Sequence, residues 1–268
     1  MPAAAPTEPT VRYDLDGGVA TITLSRPEVL NAMNVAMKEA LLEALIEAGS
    51  DEEVRAVILS GSGRAFCVGQ DLREHAALLE AHDPSLDATV REHFNPLALT
   101  IATMPKPVIA AVNGVAAGAG AALAFAADFR FAADDAAFLL AFSHVGLGPD
   151  TGVSWTLPRL VGYGRASALL MLADPFSASQ ALEMGLINAV VPGHALLVNV
   201  VELATRLANG PTAAYAAVKE ALHYAATCDL PAALEREAQL QARCGATADH
   251  RSATTAFLAK QQPVFTGR

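Results

Sequence analysis

The sequence predicts an α/β fold, and three observations carry that expectation. Short apolar runs rich in β-branched residues, at Val54 to Ser60, Val108 to Val112 and Ile187 to Val191, are separated by helical stretches. After Pro192 the pattern turns to helical segments only. The chain has 268 residues of which 53% are hydrophobic and 17% charged, enough apolar material for a large single core.

From the N-terminus, MPAAAPTEPT is rich in Pro and Ala without periodicity and predicts a flexible start. Val19 to Ser25 alternates in the manner of a strand, with Val19, Thr21 and Thr23 on one side and Ala20, Ile22 and Leu24 on the other. It follows a Gly17-Gly18 turn and forms the second arm of a hairpin that begins at Val11. From Val35 to Ala48, Val35, Leu41, Leu42, Leu45 and Ile46 recur at helical spacing with Lys38, Glu39, Glu43 and Glu47 between them, and the helix ends at Gly49. Pro107 to Ala127 is long and apolar enough to resemble a membrane span, but Asn113 and Gly114 interrupt it and most of the rest is Ala or Gly. A buried strand, turn and helix explain it better. Ala195 to Ala208, Pro211 to Tyr224, Leu230 to Arg243 and His250 to Lys260 predict four terminal helices, parted by Asn209-Gly210-Pro211 and Gly245. The expected organisation is a mixed core over residues 1–191 and a helical region over 192–268 that packs against a partner subunit.

Net charge narrows the function. A formal charge of -10 and a pI near 5.1 leave no basic patch for phosphates, which argues against nucleic acid and against an anionic membrane surface. Small molecules are the expected partners. Cys67, Cys228 and Cys244 are too few and too scattered for a disulfide framework or a metal cluster, and no signal peptide precedes the first strand, so a reducing cytoplasm is expected.

Three segments hold candidate chemistry. Gly61 to Leu72 (GSGRAFCVGQDL) leaves a strand and enters a helix; its glycines allow amides to face a ligand, although Asp71 reads equally as an ordinary N-cap. Asn113 to Gly120 (NGVAAGAG) places amides near Ala119 at a helix N-terminus, where they and the helix dipole favour developing negative charge. Neither matches a dinucleotide or phosphate-loop motif. Ala141 to Gly152 (AFSHVGLGPDTG) carries one carboxylate, Asp150, which could cap a helix near Val153 or handle a proton. His144 has no i, i+4 His partner and no zinc-type motif, so no metal is expected.

In this order the segments resemble the enoyl-CoA hydratase/isomerase (crotonase) family, over about Val11 to Phe265. The resemblance is carried by Arg64 to Leu72 (RAFCVGQDL), Pro105 to Gly114 (PKPVIAAVNG) and Gly118 to Gly120. It implies a crotonase-like spiral of strand-strand-helix units with a helical C-terminal region, and a homotrimer or dimer of trimers. It also implies an acyl group carried as a coenzyme A thioester, with no permanently bound cofactor. The amides of Cys67 and Ala119 would form an oxyanion hole, Ala65, Gln70, Asp71 and Leu72 would line the coenzyme track, and Arg26 and Val29 would touch the coenzyme. Phe257 and Lys260 would reach it from the same or a neighbouring subunit. An enolate formed beside a thioester needs such a hole, and each preorganised amide contributes about 3 kcal/mol.

The chain departs from the hydratase pattern at two positions. Where hydratases carry two water-activating glutamates, this sequence has Ala122 and Phe142, neither of which handles protons. What remains is Asp150. Its setting, with Phe94 to Leu97 (FNPL) and Phe257 to Lys260 (FLAK), is similar to the branch of ring-1,2-epoxyphenylacetyl-CoA isomerase and related enoyl-CoA isomerases. That likeness favours catalysis by Asp150 over capping. Gly146 to Thr151 also resembles the aspartate setting of 4-chlorobenzoyl-CoA dehalogenases, but this chain shows Phe142 and Asn95 where those have a tryptophan and a histidine base, with His93 nearby. A hydratase with relocated groups and a non-catalytic acyl-CoA binder are also compatible with these residues. The expected acyl pocket is apolar, lined by Phe94, Leu97, Phe142 and Val145, with Trp155 near its far end.

Overall fold

The computed structural model describes residues 9–83 and 85–268; up to residue 8, the stretch expected to be a flexible start lies outside the described residues. Strands β1 (Val11–Asp16) and β2 (Val19–Leu24) form the expected antiparallel hairpin across Gly17-Gly18. Helix α1 (Val35–Ser50) begins at Asn34, whose side chain accepts the Met37 amide, and runs one residue past Gly49. The physical reason is downstream: the Lys106 ammonium donates to the carbonyls of Ala48 (2.7 Å) and Asp51 (2.5 Å), so the last turn is held without a glycine stop.

Three strand-strand-helix units follow. The first is β3 (Ala56–Gly61), β4 (Ala65–Cys67) and α2 (Leu72–Glu80), extended by α3 (Ser85–Thr89), a π-helical turn over Val90–Phe94 and α4 (Asn95–Thr103). The second is β5 (Val108–Val112), β6 (Val115–Ala117) and α5 (Ala119–Ala126), which resolves the apolar stretch at Pro107 to Ala127 into strands, turn and helix. The third is β7 (Phe129–Ala133), β8 (Ala137–Leu139), a 3-10 turn at Ser143–Val145 and α6 (Val153–Val161). Then come α7 (Tyr163–Met171), β9 (Phe176–Ser177), α8 (Ala178–Glu183) and β10 (Ala189–Val191).

The first strand of each unit enters a six-stranded sheet ordered β1-β2-β3-β5-β7-β10, parallel beyond the hairpin; the second enters a four-stranded sheet ordered β4-β6-β8-β9. Every turn of the spiral thus crosses from one sheet to the other and leaves by a loop at the same relative place. The β4–α2, β6–α5 and β8–α6 connections are these equivalent corners, and they are the three segments singled out in the sequence. The core between the layers is continuous, and α5, almost all Ala and Gly, is buried along its length because larger side chains would not fit there.

Helices α9 (Leu196–Ala208), α10 (Thr212–Ala225), α11 (Leu230–Gly245) and α12 (Ala248–Leu258) complete the chain. The switch to helices falls at Pro192 as expected, yet α9 does not stand apart from the core. Leu196, Val200, Leu203, Ala204 and Leu207 are buried where it packs on β2, β3, β5 and β7. Among the described residues, no helix is long and apolar enough to cross a membrane.

One buried side chain ties the first corner together. Asn31, fully buried, donates from Nδ2 to the carbonyls of Ser62 (3.0 Å), Ala65 (2.8 Å) and Phe66 (3.1 Å), while its Oδ1 accepts the Arg26 amide (2.9 Å). Asn31→Ala removes a donor from all three carbonyls, of which Ala65 O keeps Asn113 Nδ2 at 3.2 Å, and is expected to lose roughly 2–4 kcal/mol of stability. Urea unfolding measures it, and an unchanged midpoint would show that Asn31 does not hold this corner.

Candidate active site

The first corner is cross-linked before any ligand is considered. The Met33 amide donates to Gly69 O (2.7 Å), the Asp71 amide to Met33 O (3.0 Å) and the Val68 amide to Leu30 O (3.2 Å), so the Arg26 to Met33 loop lies along the Val68 to Asp71 turn. The Arg26 guanidinium meets the Asp71 carboxylate at 2.9 Å. This brings Arg26, Gln70, Asp71 and Leu72 into one strip, with Val29 on the same loop and Ala65 buried in β4 beneath it. Within it Asp71 is fully engaged, because its other oxygen caps α2 by accepting the amides of Arg73 and Glu74. Burial pushes the Asp71 pKa up, but Arg26 and the two amides outweigh it and hold the carboxylate below its ordinary range. Its side chain shapes the strip, and Leu72, 58% exposed, offers the free apolar surface.

The second corner approaches the first at backbone distance. A Cβ on Gly120 would lie 2.2 Å from the Cys67 carbonyl oxygen, so only glycine allows the start of α5 to sit against β4. Gly69 takes a positive φ of 86°, and a Cβ there would lie 3.2 Å from the Ala119 nitrogen. Ala119 and Gly120 are first-turn amides of α5 without intrahelical acceptors, and among the described residues the Gln70 amide has no acceptor either. Free amides from two corners therefore converge beside Gly69.

This geometry corrects one expectation. The Cys67 amide is not the partner of Ala119, because Cys67 is the last residue of β4, paired with Ala116 of β6 and fully buried. Its thiol donates to Asn31 O at 3.1 Å, and burial pushes its pKa up to about 12, so it presents neither an exposed amide nor a thiolate to a ligand. The amide facing the Ala119 side is that of Gln70, one turn further along. The sequence held no signal for this, because β4 is too short to be recognised from its residues and the Met33–Gln70 bridge appears only in the structure.

The third corner brings Asp150. Its side chain caps no helix, since α6 starts at Gly152 without any side-chain cap, and the capping role considered from the sequence falls away. Among the described residues the carboxylate accepts only the Thr151 hydroxyl, at 2.6 Å. Thr151 is 1% exposed and holds a left-handed φ of 53°, an unfavourable conformation for a β-branched residue and the kind of strain that collects at functional sites. Burial raises the Asp150 pKa above the ordinary carboxylate value, partly offset by the Thr151 hydrogen bond. A Cβ on neighbouring Gly152 would lie 4.0 Å from Ala98 of α4, so this loop faces the helix that carries Leu97. Phe94, Leu97 and Phe142 are buried in the core cluster, whereas Val145 is 52% exposed on the 3-10 turn. Trp155 turns instead toward α10, its ring 5.5 Å from that of His223 with the Arg159 guanidinium over it. The glutamate positions are occupied by buried Ala122 and Phe142.

Phe257 and Lys260 are not brought to this strip within one chain. They lie on and just beyond α12, which packs on α11; Phe257 is 82% exposed, and neither residue hydrogen-bonds to the Arg26 to Asp71 region.

Comparison with known proteins agrees with the architecture. The family model described as enoyl-CoA hydratase/isomerase matches residues 14–268. A Rhodobacter capsulatus protein named "Probable enoyl-CoA hydratase" is 49% identical over 97% of this chain and 98% of its own. The 1,2-epoxyphenylacetyl-CoA isomerase of Escherichia coli is 44% identical over 95% of this chain and 97% of its own. The crystal structure of an enoyl-CoA hydratase from Bacillus anthracis superposes with a TM-score of 0.88 at 34% identity, covering 97% of this chain and 100% of the other. With its spiral of strand-strand-helix units and a family match over almost its whole length, this chain belongs to the enoyl-CoA hydratase/isomerase family of acyl-CoA enzymes.

Proposed function

We propose that this protein isomerises the acyl group of a coenzyme A thioester, using Asp150 as its single proton carrier. The carrying observation is that Asp150 is the partly buried carboxylate of the third corner, while both glutamate positions of a hydratase hold apolar side chains. The thioester oxygen lies against the amides of Ala119 and Gln70. Asp150, ionised, takes a proton from a carbon conjugated to the thioester, the electron pair moves toward the carbonyl as the enolate forms, and the two amides stabilise the oxyanion. Asp150 then returns the proton to a different carbon, so the double bond or ring bonding has shifted and nothing has been added. The likeness to the E. coli isomerase supports this reading. A second reading, water addition, is favoured by the name of the R. capsulatus relative, and it requires a group other than Ala122 or Phe142 to activate water.

In deuterated water, Asp150→Asn is expected to slow solvent exchange into bound enoyl-CoA by roughly 10²- to 10⁴-fold while coenzyme thioester affinity stays within about threefold. Exchange at the wild-type rate would remove Asp150 from the reaction. Wild-type activity should also rise with pH through a pKa above the ordinary carboxylate value, since the base form does the work.

Stability moves in the opposite sense. Because the native pKa of Asp150 lies above its unfolded value, the native state holds that proton to higher pH, and stability falls as pH rises through the interval between the two values. Asp150→Asn should therefore melt at a higher temperature than the wild type near neutral pH, with the gain shrinking as the pH falls through the raised native pKa and gone below the unfolded carboxylate value. A lower melting temperature at neutral pH would mean that the ionised carboxylate is stabilising.

A further inference from the structure

Lys38 is the largest of the fully buried side chains, 1% exposed on the second turn of α1. Among the described residues it has no carboxylate within ion-pair distance. Its ammonium donates to Gln70 Oε1 at 3.1 Å and to Thr89 Oγ1 at 2.9 Å, and it stands 5.1 Å from the centre of the Phe94 ring. Two hydrogen bonds and one aromatic face use all three of its N–H directions. A buried cation satisfied by neutral dipoles alone is an expensive way to fill a core position, since an apolar side chain of the same length avoids the desolvation.

Its partners are not scattered. Gln70 carries the free amide beside Ala119, and Thr89 and Phe94 bracket the π-helical turn Val90–Phe94, a rare geometry found mostly at functional sites. Thr89 Oγ1 and His93 Nδ1 lie 3.3 Å apart, which extends the connection into that turn. On the other side Glu74, next to the Asp71 cap, accepts the Val35 amide at the start of α1, so α1 and the first corner are joined twice.

We propose that Lys38 is a positioning residue for the oxyanion site: it clamps the Gln70 side chain to the Thr89–Phe94 turn and sets a positive charge behind the amide that meets the thioester oxygen. This rests on the thioester-enolate reading above. The charge stays fixed whether substrate is present or not, so its stabilisation grows as negative charge develops on the oxygen and adds little to binding of the neutral thioester. Burial pushes the Lys38 pKa below its ordinary value, against the opposing pull of Glu74, Glu39 and Asp71.

The test compares the wild type with Lys38→Met and Lys38→Arg. Each is titrated with a saturated acyl-CoA and with a 3-oxoacyl-CoA, whose bound enolate is read by its ultraviolet absorbance, and the rate of deuterium exchange is measured in parallel. Lys38→Met is expected to lower the exchange kcat roughly 10- to 100-fold and to reduce the bound enolate fraction, with saturated acyl-CoA affinity within about threefold, and Lys38→Arg to restore part of both. A kcat and enolate fraction equal to wild type, or an equal loss of affinity for both ligands, overturns the proposal. Should Lys38→Met fail to fold, Thr89→Val removes one end of the clamp; it should lower kcat and enolate fraction without changing saturated acyl-CoA affinity, and wild-type values for it would again overturn the proposal. A wild type that binds the 3-oxoacyl-CoA as enolate but does not isomerise enoyl-CoA fails the isomerase reading alone, and the Lys38 comparison is then decided on the enolate fraction.

Discussion

The backbone approach at Gly120 sets the rest of the site. With its Cα against the Cys67 carbonyl, α5 begins in contact with β4, and the free amides of one spiral unit are delivered to the turn of the unit before it. A side chain of even one carbon at residue 120 would have to push the layers apart. The small residues of α5 follow from the same demand, since Ala119 to Phe125 is buried. So does the role of Asn31, which satisfies carbonyls that the sharp β3–β4 corner leaves unpaired. The position of Asp150 is the third consequence: the next unit repeats the same crossing and ends its corner over α4.

Polar groups in this protein divide by what surrounds them. Lys106, Arg130 and Lys219 are buried cations whose hydrogen bonds go to backbone carbonyls or, for Lys219, also to Asp128 at 2.7 Å. They close helix ends and join C-terminal helices to the sheet, which is the work of stability. Asp150 and Lys38 are different. Among the described residues the first meets a hydroxyl on a strained neighbour, and the second meets neutral oxygens and a ring. In the proposed reading both serve charge that is absent until substrate reacts, Asp150 from the third corner and Lys38 from α1 behind the first.

Most of the large sheet was legible because β2, β3, β5 and β10 are rich in Val, Ile and Leu, though β7 (FRFAA) was not, and α1 and α9 to α12 were legible from apolar spacing. The second sheet was not. Strands of two or three residues such as Ala65–Cys67, Val115–Ala117 and Phe176–Ser177 carry no periodicity, and they exist because tertiary packing supplies partners. That blind spot explains the displaced oxyanion residue: without β4, nothing in GSGRAFCVGQDL tells which amide is bound in a ladder and which is free. Asp150 was found from its neighbours, and the resemblance already favoured catalysis over capping; what the structure adds is that α6 begins without an Asp150 cap. Lys38 had looked like one of several charges on the exposed face of an amphipathic helix. Only the packing of Thr89 and Phe94 over α1 turns it inward.

The central claim is that one aspartate moves a proton and no water is added. Mass spectrometry of linear 2-enoyl-CoA and 3-enoyl-CoA after incubation with the wild-type protein in deuterated water tests it directly. The account predicts products that interconvert and gain deuterium without gaining a water. A product heavier by one water would contradict it, and would mean that this site hydrates without the two glutamates.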